Sequence, residues 1–315
     1  MGAIQPLIGK TLHADSVCEG FCSRYLMEAQ NADGGWGYQP GSDSSVEPTS
    51  WALLALTASS GISTQGLQWL CRVQLSDGSW PAYRGQTRGC WTTALACLAL
   101  QQFGSARQQV QRGVQWLLST WPAEYRLWWR MRSRFSRDAR TVRQDCALPG
   151  WGWTPCTASW VEPTSCALIL LRQLTDTALA AASCKRKRLA ERMLRDRMCP
   201  DGGWNSGNPM VYGVAGEPRV GPTAWALLAL HDGRGAIELE SSLDWLQNAC
   251  TVVRSPWSVA LGYMALKAHQ RHISCLGSAL SEMESASDVL WNVPAAALTS
   301  MALSGRNPLA HARIG

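Results

Sequence analysis

The sequence predicts an all-α fold in which six helical hairpins, joined by Trp/Gly-rich turns, close into an (α/α)6 toroid. Three observations support this prediction. One apolar segment occurs three times, at 45–56, 160–171 and 219–230. Each copy follows a turn rich in Trp and Gly, and each is apolar on all sides, as is typical of a helix that is buried on every face. Amphipathic segments alternate with the apolar ones, so the expected unit is an outer helix followed by an inner helix.

The repeated segment has Pro near its start, where the missing N–H of proline is tolerated in the first helical turn. Aligning the apolar segments predicts six inner helices whose last leucines correspond: Leu56, Leu100, Leu171, Leu230, Leu266 and Leu303. No hairpin of this kind buries its own apolar face, so neighbouring hairpins must pack on one another. A closed ring is favoured over an open solenoid, because polar capping repeats are absent from the sequence.

The repeats cover residues 18–305, which we predict to form a single toroid domain. Residues 1–17 carry little pattern and are predicted to form a short N-terminal arm. A basic insertion at 122–146 interrupts the third unit, and residues 306–315 are predicted to form a C-terminal tail.

Aromatic usage is unusual, with 17 Trp against 3 Phe and 6 Tyr. Core packing alone does not require so many indoles, because each carries an N–H that needs a partner. Tryptophan is suited to stacking beneath turns and to lining an apolar cavity. The tryptophans at or just before the predicted inner helices are the candidate cavity lining and substrate-binding residues: Trp91, Trp151, Trp153, Trp160, Trp257 and Trp291.

The remaining composition excludes several classes of protein. A formal net charge of +6 is only mildly basic and matches no nucleic-acid-binding signature. There is no signal-peptide pattern and no apolar run of about 18 residues, so a cytoplasmic location without a spanning helix is expected. The 12 Cys are scattered and are predicted to be small buried hydrophobes. We predict neither a metal site nor a cofactor.

Two acidic residues stand out at the starts of inner helices. Glu47 and Glu162 immediately precede the helix-starting proline of their copies, whereas the third copy of the segment has Gly221 there. The helix dipole favours the carboxylate by about 0.3–1 kcal/mol, but burial in an apolar cavity raises a carboxyl pKa. In a dry mouth of the toroid either residue could serve as a general acid. In a wet mouth both would be anions that stabilise the helix dipole.

Two segments carry a family resemblance. LQWLCRVQLSDGSW at 67–80 and YLMEAQNADGGW at 25–36 resemble the QW motif of squalene–hopene and oxidosqualene cyclases. The resemblance to this prenyltransferase and squalene-cyclase repeat family extends from about residue 20 to 305. It implies that Gln30 and Gln74 bond near helix ends and that Trp36 and Trp80 stack over the turns. It also implies that the chain corresponds to one toroid of enzymes that have a second helical domain.

The same resemblance suggests where chemistry would lie. Class II terpene cyclases protonate an alkene or epoxide with an Asp of a D-x-D-D-T-A segment at the start of an inner helix. Matching Thr49 and Thr164 to the Thr of that motif places Glu47 and Glu162 on the proton-donating position. The flanking acids of the motif are absent here. Protein prenyltransferase β subunits, which share the toroid, bind zinc through Asp, Cys and His, but Asp145 and Cys146 are adjacent rather than spaced.

The insertion at 126–143 mixes seven Arg with two Trp and one Phe. This composition is typical of a segment that binds a membrane surface or an anion such as pyrophosphate, although a solvated loop would look similar.

The sequence therefore predicts an isoprenoid cyclase or isomerase that protonates a polyprenyl substrate in a central apolar cavity, with Glu47 and Glu162 as the candidate catalytic residues. The alternatives are a non-catalytic toroid that binds lipid or another protein, and a subunit resembling the protein prenyltransferase β subunit. A peripheral membrane contact through 126–143 is also expected, and no nucleic-acid partner.

Overall fold

The computed structural model describes residues 20–56, 61–104, 106–129, 131, 144–231, 237–286 and 289–310. The predicted arm at 1–17 and most of the basic insertion lie outside these residues. Six inner helices are described: α2 (Val46–Ala55), α4 (Thr92–Gln102), α6 (Val161–Arg172), α8 (Val220–Leu230), α10 (Pro256–Ala268) and α12 (Val293–Leu303).

Six outer helices alternate with them in the described chain: α1 (Phe21–Glu28), α3 (Gly61–Val73), α5 (Arg107–Ser119), α7 (Thr177–Asp196), α9 (Glu240–Cys250) and α11 (Ser274–Ser285). A two-stranded antiparallel hairpin, β1 (Met210–Val211) with β2 (Val214–Ala215), lies in the loop before α8. The predicted alternation of outer and inner helices is therefore confirmed.

The inner helices form a closed ring. Each one packs against the next inner helix along the chain, and α12 packs against α2. Each outer helix packs on the inner helix that precedes it, and α1 accordingly packs on α12. The predicted pairing of each outer helix with the inner helix that follows it holds for α7, α9 and α11, which contact α8, α10 and α12 as well as the inner helix before them. In contrast, α1, α3 and α5 pack mainly on the inner helix before them in the ring.

The inner helices are buried on all sides, as their composition predicts. Every residue of α8 is buried, for example, because its neighbours in the ring and the outer helices cover all of its faces. The outer helices instead have one buried stripe each and expose their polar faces to solvent. The core is thus a single apolar cluster formed by the ring and the inward stripes of the outer helices.

The Trp/Gly turns are held by one arrangement that occurs in four units. In the first unit the backbone N–H of Trp36 donates to Thr49 Oγ1 at 2.9 Å, and its indole Nε1 donates to the Leu26 carbonyl at 2.7 Å. The equivalent pairs of tryptophan and threonine are Trp80 with Thr93, Trp151 with Thr164, and Trp204 with Thr223. This arrangement fixes each turn to the inner helix that follows it, with the same register in all four units.

The two glutamines of the QW-like segments connect neighbouring units. The Gln30 side-chain amide donates to Gly34 O at 2.8 Å and to Ile62 O, at the start of the next outer helix, at 2.9 Å. Gln74 makes the same two bonds in the second unit. Both glutamines and their tryptophans are structural, as the family resemblance implies.

The inner helices begin without side-chain caps at Ser45 and Trp160. Their first N–H groups are instead satisfied by the neighbouring unit. The N–H of Val46 donates to Ala82 O, and that of Val161 to Ser206 O, each at 3.0 Å. Val293 donates in the same way to Tyr38 O and closes the cycle. These bonds place the starts of the inner helices at one end of the ring.

Residues 306–310, which the sequence analysis assigned to a C-terminal tail, cross the opposite end of the ring. Arg306 Nη1 donates to Ala55 O of α2 at 2.6 Å, and Asn307 Nδ2 donates to Met264 O of α10 at 3.0 Å. Gln173, at the end of α6, donates to Pro308 O at 2.9 Å. The segment therefore joins alternate inner helices and covers this end.

Candidate functional site

The register of the threonines defines equivalent positions at the starts of the inner helices. In four inner helices this position is the residue two before the threonine, and in α10 and α12 it is the residue aligned with it. These six residues form one layer around the ring. We call it the mouth layer, and it consists of Glu47, Trp91, Glu162, Gly221, Trp257 and Pro294. Both candidate acids therefore lie at the open end of the ring, in the same layer as two of the candidate tryptophans.

Glu47 is partly exposed, but most of its surroundings are protein. Its Oε2 accepts a hydrogen bond from the Tyr38 hydroxyl at 2.5 Å, and the indole of Trp51 lies one turn later in α2. Burial raises the pKa of the Glu47 carboxyl above its ordinary value, and Tyr38 and Trp51 oppose that rise. Burial raises the pKa of the Cys90 and Cys166 thiols, and the nearby Glu47 carboxylate adds to the rise.

Glu162 is held differently. Its Oε1 accepts a hydrogen bond from Ser206 Oγ at 2.6 Å, whereas its Oε2 is buried and has no hydrogen-bond partner. Burial raises the pKa of this carboxyl, and Ser206 and the backbone N–H of Glu162 oppose the rise. A buried, unpartnered carboxylate oxygen is costly, and protonation removes its charge.

A steric contact explains why the mouth layer has a glycine in α8. A Cβ on Gly221 would lie 2.8 Å from the Trp257 ring, because that indole packs directly over the start of α8. The position that carries an acid in α2 and α6 is therefore filled in α8 by an aromatic side chain from the next helix. Two of the six positions are acidic, and Trp91 lies on the helix between them.

The ring interior is closed one turn below the mouth layer. The next layer along the inner helices, which we call the floor layer, consists of Trp51, Leu95, Cys166, Trp225, Leu261 and Leu298. None of these side chains is more than 2% exposed. Trp51 and Trp225 come from opposite helices of the ring, and their ring centroids are 5.9 Å apart. The predicted central cavity is therefore wrong at this level, because the side chains of the floor layer fill the interior of the ring.

Trp91 and Trp153 lie together at the mouth. Their rings meet edge to face with centroids 5.2 Å apart. The backbone N–H of Trp91 donates to the backbone carbonyl of Trp153 at 3.0 Å. Both line an open groove of about 960 Å³, together with Arg88 and Cys156. A groove of this size accommodates a small organic ligand.

The other candidate tryptophans differ in position. Trp151 belongs to the structural turn set: its indole donates to Leu117 O at 2.9 Å, and its ring lies 4.0 Å from the buried guanidinium of Arg186. Trp160 packs near Gly207 in the loop before α8. Trp291 packs against Phe21 of the outer helix α1. Trp151 nevertheless lies beside the mouth layer, because it lines a small pocket together with Trp91.

Sequence reasoning missed Tyr38 and Ser206, which bond the two glutamates from turns that carry no repeated signal at those positions. It also missed the floor tryptophans Trp51 and Trp225. A signal for these was present, because both stand four residues after the mouth position and therefore on the same helix face.

Asp145 lies in a turn, where its Oδ1 accepts the N–H of Ala147 at 2.8 Å. Across the described parts of the chain, no group of three His, Cys, Asp or Glu side chains is arranged to hold a metal ion.

Exposed apolar side chains gather in the loops of the mouth end. They include Trp128 and Trp129 of the insertion, which are 63% and 45% exposed, and Tyr212 of the β-hairpin, which is 78% exposed. No described helix has the length and apolar character needed to cross a bilayer.

Comparisons with known proteins place this geometry among known folds. No family model matches the chain. Over 61 residues it is 41% identical to drimenyl diphosphate synthase from Streptantibioticus cattleyicolor, a match that covers 18% of this chain and 12% of that protein. The chain thus matches only a small part of its curated relative's length.

Two solved structures share the architecture. An ent-copalyl diphosphate synthase from Streptomyces platensis aligns with a TM-score of 0.50 at 17% identity, over 82% of this chain and 50% of that one. A family 76 glycoside hydrolase from Bacteroides thetaiotaomicron aligns with a TM-score of 0.59 at 12% identity, over 90% and 76% of the two chains. At such identities the likeness extends to the fold alone. The chain has the α/α toroid fold of terpene cyclases, which glycoside hydrolases also use.

Proposed function

We propose that this protein is an acid-initiated isoprenoid cyclase or isomerase whose site is the mouth layer. The observation that carries the proposal is the pair Glu47 and Glu162, two carboxyl groups whose pKa is raised by burial at the open end of the ring. The short match to drimenyl diphosphate synthase supports an isoprenoid substrate.

The chemistry follows from the raised pKa of the acids. A carboxyl group that stays neutral near pH 7 can transfer its proton to a carbon–carbon double bond or an epoxide. The transfer leaves a carboxylate on the protein and a carbocation on the substrate. Loss of a proton from the final cation to a base restores neutrality, so the net reaction is an isomerisation.

The tryptophans of the mouth layer suit such an intermediate. The face of an indole attracts a cation by about 0.5–2 kcal/mol, and the contribution grows as water is excluded. Trp91 stands between the two acidic helices, and Trp257 covers Gly221 across the ring. The groove beside Trp91 and Trp153 offers room for the apolar chain of the substrate.

The packed floor layer limits the substrate to the mouth side of the ring. A polyprenyl chain cannot thread the ring while Trp51 and Trp225 are in contact. We therefore propose that only the reacting end of the substrate reaches the mouth and that the rest of the chain lies along the groove.

Turnover of defined isoprenoids tests the proposal. The purified protein is incubated with farnesyl and geranylgeranyl diphosphate and with their alcohols, and cyclised products are sought by mass spectrometry. We expect Glu162→Gln and Glu47→Gln each to lower turnover at least 100-fold, because a positioned group that gives or takes a proton contributes about 10²–10⁴-fold. Glu217→Gln, an exposed acid of the loop before α8, is the matched control.

Equal turnover by the wild type and both glutamine variants would refute the assignment of the acids. Lipid that co-purifies with the protein but is never converted would instead identify a binding protein, and the proposed chemistry would be abandoned.

We also propose that the mouth end contacts a membrane surface, from which an isoprenoid could enter. The support is the exposed apolar side chains of the mouth loops together with the arginine-rich composition of 126–143. Flotation with anionic vesicles should capture the protein at low salt and release it at high salt. Trp128→Ser with Trp129→Ser should reduce capture, whereas Ile237→Ser, an exposed apolar residue outside the mouth loops, should not. Equal capture of all variants would contradict this contact.

A further inference from the structure

The two glutamates of the mouth layer occupy equivalent positions but have different surroundings. Among the described residues, Oε2 of Glu162 is buried without a hydrogen-bond partner, whereas neither oxygen of Glu47 has both properties. Because the two helices start in the same way, this difference comes from the neighbouring turns and not from the helices themselves.

The surroundings of Glu162 favour the neutral acid. Ser206 donates a hydrogen bond to Oε1, whereas Oε2 is buried and has no donor among the described residues. An ionised carboxylate in that position would hold part of its charge on an unsolvated oxygen, which is the more expensive state. A proton on Oε2 removes the charge and keeps the bond from Ser206.

Burial also raises the pKa of Glu47, but here the neighbouring side chains supply donors that oppose the rise. The Tyr38 hydroxyl bonds Oε2 at 2.5 Å, and Tyr38 is itself 46% exposed, so the pair opens toward solvent. The pKa of the Tyr38 hydroxyl is raised by burial and by Glu47, so the phenol keeps its proton and remains a donor. The indole N–H of Trp51, one turn later in α2, is buried near the same carboxyl and also opposes the rise in its pKa.

From this asymmetry we infer that the two glutamates hold opposite protonation states, with the proton of the site on Oε2 of Glu162 and Glu47 kept as a carboxylate by Tyr38. Ser206 and Tyr38 are then positioning residues for the acid and for the anion. The inference rests on the proposed function for its chemical meaning, but the protonation states exist without substrate.

With these opposite protonation states, each glutamate carries out one proton transfer of the reaction. The O–H bond of Glu162 breaks as the π electrons of the substrate form a C–H bond, which leaves a carboxylate on Glu162 and a cation on carbon. Glu47, two inner helices away around the ring, accepts the proton that the final cation loses. The starting state is restored when that proton returns from Glu47 to Glu162 through solvent at the open mouth.

The other titratable groups near the two acids do not reverse this assignment. Cys90, in the loop before α4, and Cys166 of α6 lie near Glu47, and burial raises the pKa of both thiols, which stay neutral. Tyr38 from the first turn is likewise neutral. The pKa rise at Glu162 comes from burial, opposed by Ser206 and its own backbone N–H.

Infrared difference spectroscopy of the substrate-free protein tests the inference. At pH 7 the wild type should show the carbonyl stretch of a buried neutral carboxylic acid, which shifts in heavy water. That band should disappear in Glu162→Gln and persist in Glu47→Gln. Tyr38→Phe should add a second band, because Glu47 loses its donor, and Ser206→Ala should raise the midpoint at which the Glu162 band titrates.

Absence of the band in the wild type, its survival in Glu162→Gln, or its loss in Glu47→Gln would each overturn the inference. Circular dichroism checks that each variant is folded. If Glu162→Gln does not fold, the shift of the titration midpoint in Ser206→Ala decides, and an unchanged midpoint overturns the inference. Because no substrate is present, this result is separate from the turnover experiment: a correct band without turnover would refute only the proposed function.

Discussion

At the scale of single residues, the mouth layer shows how one position of a repeated helix is used in different ways. The position before the helix-starting proline carries Glu47 in α2 and Glu162 in α6, whereas α8 has Gly221 beneath the Trp257 ring. The first N–H group of α2 and that of α6 are each bonded by the neighbouring unit and not by a side-chain cap. Burying a carboxyl group at these two positions carries an electrostatic cost.

That cost predicts a dependence of stability on pH. The pKa of Glu162 is raised by burial, so the folded state binds this proton more tightly than the unfolded state does. Its contribution to stability is fully present below the ordinary carboxyl pKa and is lost as pH rises through the folded pKa. Glu162→Gln imitates the neutral acid at every pH. Its melting temperature should therefore rise relative to the wild type as pH increases.

Thermal melts monitored by circular dichroism over pH 4–9 measure this difference. Glu217→Gln, on an exposed loop, serves as the control and should follow the wild type. A constant difference between Glu162→Gln and the wild type would contradict the predicted linkage.

At the scale of elements, the turns and the inner helices are one unit because threonine joins them. The hydroxyl of Thr93 accepts the backbone N–H of Trp80 at 2.9 Å and donates to Trp80 O at 3.3 Å, and both residues are buried. The sequence shows these threonines near the starts of the inner helices but does not identify their hydrogen-bond partner. The partner lies in the preceding turn, 13 residues earlier in three units and 19 residues earlier in the fourth.

Replacing this threonine should destabilise the protein. Thr93→Val keeps shape and β-branching but leaves the buried N–H of Trp80 without an acceptor, which should cost about 1–3 kcal/mol of unfolding free energy. Thr299→Val in α12 is a matched control, because Thr299 is equally buried and its hydroxyl has no hydrogen-bond partner. That variant should be neutral or slightly stabilised. Urea titrations compare the two, and equal losses would contradict the role of the hydroxyl.

At the scale of the whole molecule, the first outer helix and the last inner helix close the ring. Helix α1 packs on α12, where Ser23 Oγ and Ser300 Oγ are 3.0 Å apart, and α12 packs on α2. At the far end, residues 306–310 join α2, α6 and α10 through hydrogen bonds to their terminal residues. Closure therefore depends on contacts between segments that are distant in sequence.

The C-terminal segment should contribute to global stability. Arg306 is partly buried and donates to Ala55 O and Leu54 O at the end of α2. Arg306→Ala should lower the unfolding free energy by about 1.5–3 kcal/mol, the range for hydrogen bonds from a charged group. Arg254→Ala, on an exposed loop of the mouth end, is the control. An unfolding midpoint equal to that of the wild type would show that the hydrogen bonds of Arg306 do not stabilise the ring.

Much of this molecule was predictable from sequence. The helical alternation and the number of hairpins follow from apolar periodicity, which depends only on nearby residues. The apolar segment at 45–56, for example, contains the inner helix α2, which begins at Val46 and ends at Ala55. The position of Glu47 and Glu162 at helix starts follows from the same pattern. The pairing of outer with inner helices was predicted only in part: α7, α9 and α11 contact the inner helix that follows them, whereas α1, α3 and α5 pack mainly on the one before. The sequence does not separate the two cases, because both neighbours of an outer helix offer it similar apolar faces.

The sequence by itself determined which residues stand at the mouth of the ring, because register along a helix is local. Only the tertiary structure decided that Trp51 meets Trp225 and closes the interior, and that Tyr38 and Ser206 distinguish the two glutamates. The physical reason is distance along the chain: the width of a closed ring, and the solvent and donors around a buried carboxyl, are set by side chains from units that are far apart in the sequence.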